Sequence, residues 1–301
     1  MKIFTIVVTY NGKLWYDRCF KSLLSSDIQL DVVIIDNASS DDSVRYITAN
    51  FPSFHIIESQ VNLGFTKANN IGIKYALDHN ADYVFLLNQD AWLVESNAVS
   101  YLVDVFKNNV DAGIVSPIHF NGLKTGLDSN FAYNMPWTFV SDAYFQTMGK
   151  VYEVQFVNAA AWLISNKCIQ KVGGFDSSLF VHNGEDGNYC QRTLYHGFKI
   201  IVNSLSHICH DKETLVETFH KDYDSIWKAK EKHLLRKIVD ANILEEREMG
   251  RSLNKQKRNL IINVVLLRFS KAKLILEEIS LLKLIRKSRE MNKVGGLIWL
   301  E

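Results

Sequence analysis

The sequence predicts an α/β protein: a three-layer sandwich on a mostly parallel sheet, followed by a helical C-terminal segment. Three observations carry that prediction. The first hundred residues alternate short apolar, β-prone runs with amphipathic stretches. Several of those runs stop on a polar or acidic residue, as strands do at the ligand-binding edge of an open parallel sheet. Basic charge is gathered at the far end of the chain. Repeated β-α-β units with right-handed crossovers then place helices on both faces of the sheet.

The elements follow in order. Residues 3–9 form a buried strand, the loop Tyr10-Asn11-Gly12-Lys13 follows, and residues 15–24 have a helical pattern. Residues 32–35 make a second strand that stops at Asp36, a polar loop covers 37–42, a helix covers 43–49, and residues 55–58 read as a third strand. After Asn62-Leu63-Gly64-Phe65 a helix capped by Thr66 is expected to run to about residue 78. The apolar run Ala81-Asp82-Tyr83-Val84-Phe85 then ends on Leu86-Leu87-Asn88-Gln89-Asp90. From Gly113 the alternation fades, and residues 119–155, rich in Asn, Gly and aromatics, read as an irregular region or a small antiparallel insertion. Strand-like 154–157 and 159–164 and helix-like 166–172 restore order before Gly173-Gly174-Phe175-Asp176. The core is expected to close near Lys212, which divides the chain into a unit of residues 1–212, with halves 1–112 and 113–212, and a helical extension of residues 213–301. Within that extension 214–249 and 260–291 carry apolar residues at three- and four-residue intervals.

Composition narrows the classes. A chain of 301 residues with 47% hydrophobic content is long enough to bury a core and does not read as disordered. The net charge of +1 hides an asymmetry: residues 221–301 hold 19 Lys+Arg against 11 Asp+Glu, whereas the rest is acidic. Cys19, Cys168, Cys190 and Cys209 show neither a CxxC pair nor zinc-type spacing, which argues against a disulfide framework and fits a reducing cytoplasm. The first ten residues do not read as a secretory signal, and no run of about 20 apolar residues offers a membrane span.

Asp90 and Asn88 are the most informative positions. Asp90 supplies a hard carboxylate oxygen and Asn88 an amide oxygen, ligand types suited to Mg²⁺ or Mn²⁺ shared with a diphosphate. The plainer reading is a capped strand end with solvated polar residues. Val8-Thr9-Tyr10-Asn11, Asp36-Asn37-Ala38-Ser39-Ser40-Asp41, Asn62-Leu63-Gly64-Phe65 with Asn69-Asn70, Leu87-Asn88-Gln89-Asp90, Gly173-Gly174-Phe175-Asp176 and Glu185-Asp186 complete the pattern. In this order and spacing they resemble an inverting family 2 glycosyltransferase of the GT-A fold, in its rhamnosyltransferase-like, bacterial polysaccharide-building branch, over residues 3–212.

The resemblance implies roles. Asp36 would contact the nucleotide base or ribose, with the Asx-turn that closes its own loop as the competing reading. Thr9 and Asn11 would flank the base or simply cap the loop. Gly64 would let the backbone approach the nucleotide, and Asn69 or Asn70 would reach the donor, Asn70 being more at home as a structural hydrogen-bonder. The family's metal motif, Asp-any-Asp, begins here with Asn88, which leaves Asp90 as the metal contact and Asn88 to reach the donor's ribose or the metal through its amide oxygen. His210, thirteen residues after Gly197, is the expected third ligand, with His207 its rival. The general base falls in Glu185-Asp186, preferentially Asp186, although both acids also suit a helix first turn. Asn188 stands where the family often has a further acid, and Arg192 is expected to partner the acids. Asn158-Ala159-Ala160-Ala161-Trp162 matches the small-residue segment lining the donor sugar, which puts Ala160 at the donor and leaves Trp162 to fill the core. Trp137 and Tyr144 are candidates for stacking on an acceptor.

The implied activity is metal-dependent inverting transfer of a hexose from a UDP- or dTDP-sugar to a glycan or lipid-linked acceptor, with Mn²⁺ or Mg²⁺ as cofactor and no nucleic acid as partner. The C-terminal helices are expected either to touch the inner leaflet of the cell membrane peripherally or to mediate homo-oligomerisation. A nucleotide-sugar pyrophosphorylase would carry a Gly-rich phosphate loop after the first strand, and a dinucleotide oxidoreductase would carry GxGxxG; Thr-Tyr-Asn-Gly-Lys is neither. A catalytically silent glycan-binding protein is opposed by Asp36, Asp90 and Asp186.

Overall fold

The structure is a computed structural model that describes residues 1–180, 184–211 and 246–300. The strands are β1 (Ile3–Thr9), β2 (Asp31–Asp36), β3 (His55–Glu58), β4 (Tyr83–Leu87), β5 (Ala91–Leu93), β6 (Ala112–Asn121), β7 (Val151–Val154), β8 (Ala161–Ser165) and β9 (Lys199–His210). They form one sheet in the order β3-β2-β1-β4-β8-β6-β9-β5, with β7 also on β9. The β3-β2-β1-β4 half is entirely parallel. Antiparallel pairing enters at β8, which joins β4 to β6, so the parallel character is confined to the first half and to the β6–β9 pair.

Period-two alternation explains the layers. Phe4, Ile6, Val33, Ile35, Val84 and Leu86 face one core, while Ile3, Val7, Val32, Ile34, Phe85 and Leu87 face the other. Both faces are covered, so the strands read as continuous apolar runs. The helices are α1 (Lys13–Leu24), α2 (Ser43–Asn50), α3 (Gly64–Asp78), α4 (Ala98–Asn108), α5 (Ser129–Asn134), α6 (Trp137–Phe145), α7 (Asn166–Val172) and α8 (Glu185–Tyr195). Gly64 opens α3 with φ +76°, a conformation that favours glycine. Thr66 is not the cap of α3: its hydroxyl, buried in the first turn, donates to the Phe180 carbonyl at 2.8 Å. Residues 119–155 are more regular than their composition suggests, containing the end of β6, both short helices and β7.

The C-terminal part is a helical hairpin. The expected single helix over 260–291 is broken at Leu266–Arg268, where Leu267 has φ +54°, leaving α9 (Glu246–Val265) and α10 (Phe269–Val294). The expected helix over 214–249 lies almost wholly outside the described residues. The base of the hairpin packs Leu253, Ile279, Leu282 and Ile285 against Phe180. Beyond α10 the chain returns to the first unit: Gly296 N–H donates to Lys171 O at 2.8 Å, Gly174 N–H to Ile298 O at 2.9 Å, and Leu300 enters the main core. Asn70 ties these pieces together. Its amide donates to Phe175 O and Trp299 O, both at 2.8 Å, and its carbonyl accepts from Phe175 N–H at 2.7 Å, as expected of a structural hydrogen-bonder. Among the described residues no helix is long and apolar enough to cross a membrane.

Candidate functional site

The site forms at the carboxyl ends of β1, β2 and β4, where the register sets Thr9 beside Asp36. Asp36 is buried, and its carboxylate accepts from Thr9 Oγ1 (3.1 Å), Ser39 Oγ (2.6 Å) and Ser39 N–H (2.9 Å). The Asx-turn reading of Asp36 therefore holds, and Oδ2 retains a lone pair beyond its single bond to Ser39. Asn11, at φ +47°, accepts from Ser40 N–H at 2.8 Å and so fastens the β1 loop to the β2 loop. Gln89, in the middle of the strand-end motif, clamps the same loop by accepting from Tyr10 N–H (2.9 Å) and donating to Tyr10 O (3.2 Å). A Cβ on Gly12 would sit 2.1 Å from Gln89 Oε1, so a larger residue there would push the Gln89 side chain off its clamp on Tyr10. Asn69 is buried, and its amide donates back to Phe65 O at 2.9 Å within α3.

The acidic centre is built by β-pairing. β5 runs antiparallel to β9 with Ala91 opposite His210, which brings His210 beside Asp90. His210 Nε2 lies 3.6 Å from Asp90 Oδ2, and both side chains are buried. Nδ1 faces Asp128 Oδ2 at 3.2 Å. Because a carboxylate only accepts, Nδ1 carries a proton toward Asp128, which leaves Nε2 as the ring nitrogen turned to Asp90. Burial pushes the Asp90 carboxyl up, against the pull of His210. Burial also opposes ionisation of Asp128, but the His210 and Phe131 hydrogen bonds and the neighbouring imidazoles outweigh it and hold Asp128 at about 2. An imidazole nitrogen and a carboxylate facing each other in a buried site become a donor set for a divalent cation once that nitrogen gives up its proton. Among the described residues no group of three His, Cys, Asp or Glu is poised to hold an ion. His207 is elsewhere, paired with Glu95 at 2.9 Å.

Asp128 and Gln89 were not singled out from the sequence. Asp128 lies in the irregular stretch, where only the fold reveals that it caps α5 and reaches β9. Asp211, next to His210, accepts from Trp15 Nε1 at 3.1 Å, which anchors α1 to the end of β9.

Segment 155–160 connects this centre to the second acid pair. Ala160 is buried and its carbonyl accepts from Asn88 N–H at 3.0 Å, while Val157 O accepts from Cys190 Sγ of α8 at 3.7 Å. Gln155, Phe156, Gly184, Asp186 and Gln191 line a cleft of about 450 Å³. Asp186 thus borders open space, whereas burial and the Asp186 charge push Glu185 up to about 7, with Oε2 buried and unpartnered. Arg192 does not serve the acids as expected. It is buried and donates to Val172 O (2.5 Å) and Gly174 O (2.6 Å), bracing the Gly173-Gly174 turn, with Asn188 Oδ1 3.5 Å away. Trp162 fills the core against Phe175, and Trp137 and Tyr144 are exposed on α6.

A mixed α/β sheet with acids gathered beyond its parallel strand ends is the GT-A architecture, and solved structures agree. The chain matches Staphylococcus aureus TarS residues 1–349 in complex with UDP over 96% of this chain and 92% of that one, at 15% identity and TM-score 0.54. It matches the mannosyltransferase PcManGT from Pyrobaculum calidifontis, solved with GDP-Man and Mn²⁺, over 97% and 88%, at 14% identity and TM-score 0.56. At the sequence level the glycosyl transferase family 2 profile matches residues 5–165. The chain belongs to glycosyl transferase family 2. Curated relatives include the dTDP-rhamnosyl transferase RfbF of Shigella flexneri, 24% identical over 206 residues (66% of each chain), and the O-antigen chain rhamnosyltransferase RfbN of Salmonella typhimurium, 33% identical over 118 residues (38% of this chain, 36% of that one). The match therefore spans under two thirds of these relatives' lengths.

Proposed function

We propose that this protein is an inverting glycosyltransferase that moves a hexose from a UDP- or dTDP-sugar to a glycan or lipid-linked acceptor in cell-surface polysaccharide synthesis. The observation that carries the reading is the buried Asp90–His210 pair at the end of the parallel strands, with His210 oriented by Asp128. RfbF and RfbN, by name, favour a deoxyhexose such as rhamnose and hence a dTDP donor.

In this reading Thr9 and Asp36 hold the nucleotide end of the donor, with Asn11 and Gln89 keeping their loops fixed. Gly64 and Ala160 leave room for donor backbone and sugar. Asp90 and His210 Nε2, with Asn88 alongside, hold Mn²⁺ or Mg²⁺; an imidazole among oxygens leans the site toward Mn²⁺. Bound there, the cation neutralises charge on the departing diphosphate. Asp186, on the cleft, accepts the proton of the attacking acceptor hydroxyl from the face opposite the leaving group. Glu185 behind it, its carboxyl raised to about 7, is only about half ionised near neutral pH, which limits the negative charge beside that base.

The test is a thermal-shift screen of UDP-, dTDP- and GDP-sugars with and without Mn²⁺, followed by transfer assays with the donor that binds. One nucleotide should raise the melting temperature strongly only with metal, and Asp90→Ala should lose that metal-dependent shift while keeping the wild-type melting temperature without ligand. Full transfer activity by chelator-treated wild type would overturn the metal-dependent reading.

A further inference from the structure

The helical hairpin uses its apolar side chains unevenly. At its base they are packed on Phe180 and on one another. At its tip they are bare: Ile261, Val265, Leu267 and Phe269 are exposed by 64%, 73%, 72% and 64%, and Leu266 by about half. A helix rise of about 1.5 Å per residue puts the tip roughly 9 Å beyond Ile275, the last apolar residue of α10 packed on that cluster. Scattered exposed apolar residues are ordinary, but consecutive ones at the end of a projecting hairpin are not.

The charge around them has one sign. Residues 249–276 contain seven Lys and Arg and no Asp or Glu, although acids are common elsewhere in the chain. Leu267, Arg268, Phe269, Ser270 and Lys271 line a hollow of about 430 Å³ at the turn, which mixes bare apolar surface with two cations. A second copy of this chain would have to offer an acidic apolar surface to such a tip. The basic ring instead matches a negatively charged plane, and the apolar turn matches the layer of acyl chains beneath it.

We propose that the hairpin tip, residues 261–276, docks this enzyme on an anionic lipid bilayer. Insertion of Leu266, Leu267 and Phe269 supplies the apolar part, and Arg268, Lys271 and Lys273 supply the charge. The hairpin base is built on Phe180, in the segment leading to Glu185 and Asp186, so docking at the tip also ties the acceptor cleft to the membrane. The inference rests on the surface alone and stands whatever donor the site takes.

Deleting the hairpin is not a usable test, because it would remove Leu300 from the core. Point variants of the full chain are used instead, in flotation with phosphatidylcholine vesicles with and without phosphatidylglycerol. Wild type should float with the anionic vesicles, not with the neutral ones, and should be released by salt. Reversing Arg268, Lys271 and Lys273 to Glu should weaken partitioning at least about a hundredfold, at roughly fivefold per charge lost. Leu267→Ser with Phe269→Ser should weaken it independently, and both variants should keep the wild-type melting temperature. Equal binding to neutral and anionic vesicles, no binding to either, or a concentration-dependent dimer that these variants dissolve would overturn the proposal.

Discussion

Asp128→Asn isolates the contribution of the carboxylate behind His210. In the native site Oδ1 accepts from Phe131 N–H at 2.9 Å, capping α5, and Oδ2 faces His210 Nδ1 at 3.2 Å. Asparagine has one acceptor where aspartate has two, so the amide cannot satisfy both partners. If its oxygen stays on Phe131, its NH₂ meets the Nδ1 proton, and the imidazole relieves the clash by moving that proton to Nε2. A protonated Nε2 cannot ligate a cation. If the amide flips, His210 keeps its tautomer and the α5 cap is lost, which costs about 1 kcal/mol, or about 2–4 °C in melting temperature for a domain of this size. Loss of an orienting carboxylate generally weakens metal binding by about 10–100-fold. Titration of Mn²⁺ by electron paramagnetic resonance, with UDP or dTDP present, should show that weakening even in an enzyme that turns nothing over. An unchanged Mn²⁺ affinity together with an unchanged melting temperature would refute the arrangement.

Two further outcomes concern the acid pair. Asp186→Asn should lower turnover by roughly 10²–10⁴ with donor affinity little changed, and a collapse of donor affinity would move Asp186 into the nucleotide site. Glu185, raised from 4.5 to about 7 by burial and by Asp186, binds its proton more tightly folded than unfolded; the resulting stability, roughly 3 kcal/mol, is complete below about pH 4.5 and lost as pH rises to about 7. Glu185→Gln should remove that part of the pH dependence, measured by urea unfolding of both proteins across the window; identical pH profiles would mean that Glu185 is solvated.

The legible parts of this molecule were those set by local chemistry. Residues 3–9 and 55–58 were read as strands with the bounds they have, because an apolar run bounded by polar loops has few other fates. Asp36 and Asp90 announced themselves by ending such runs. Partnerships made across the fold were harder to see. Nothing near Asp128 signals that β9 will deliver His210 to it, since that contact depends on β6 running parallel to β9. Thr66 looked like a cap because it precedes a helical pattern, but its hydroxyl is claimed by Phe180, 114 residues later. Arg192 looked like a partner for nearby acids, and its guanidinium is taken by backbone carbonyls that only tertiary structure supplies. The break at Leu266–Arg268 has neither Gly nor Pro to mark it.

The return of residues 296–300 to Asn70 and Gly174 makes the order of synthesis differ from the order of assembly. The Asn70–Trp299 hydrogen bond spans 229 positions of sequence, so the first unit cannot close its core until the hairpin has been made and folded back. Contacts of such long range slow folding, because the chain loses freedom before they begin to stabilise it. Throughout that interval the place of Leu300 beside Gly174 is open, an apolar slot on a nearly finished first unit. Until residues 296–300 arrive, that slot is the place where a growing chain most readily meets a wrong apolar partner.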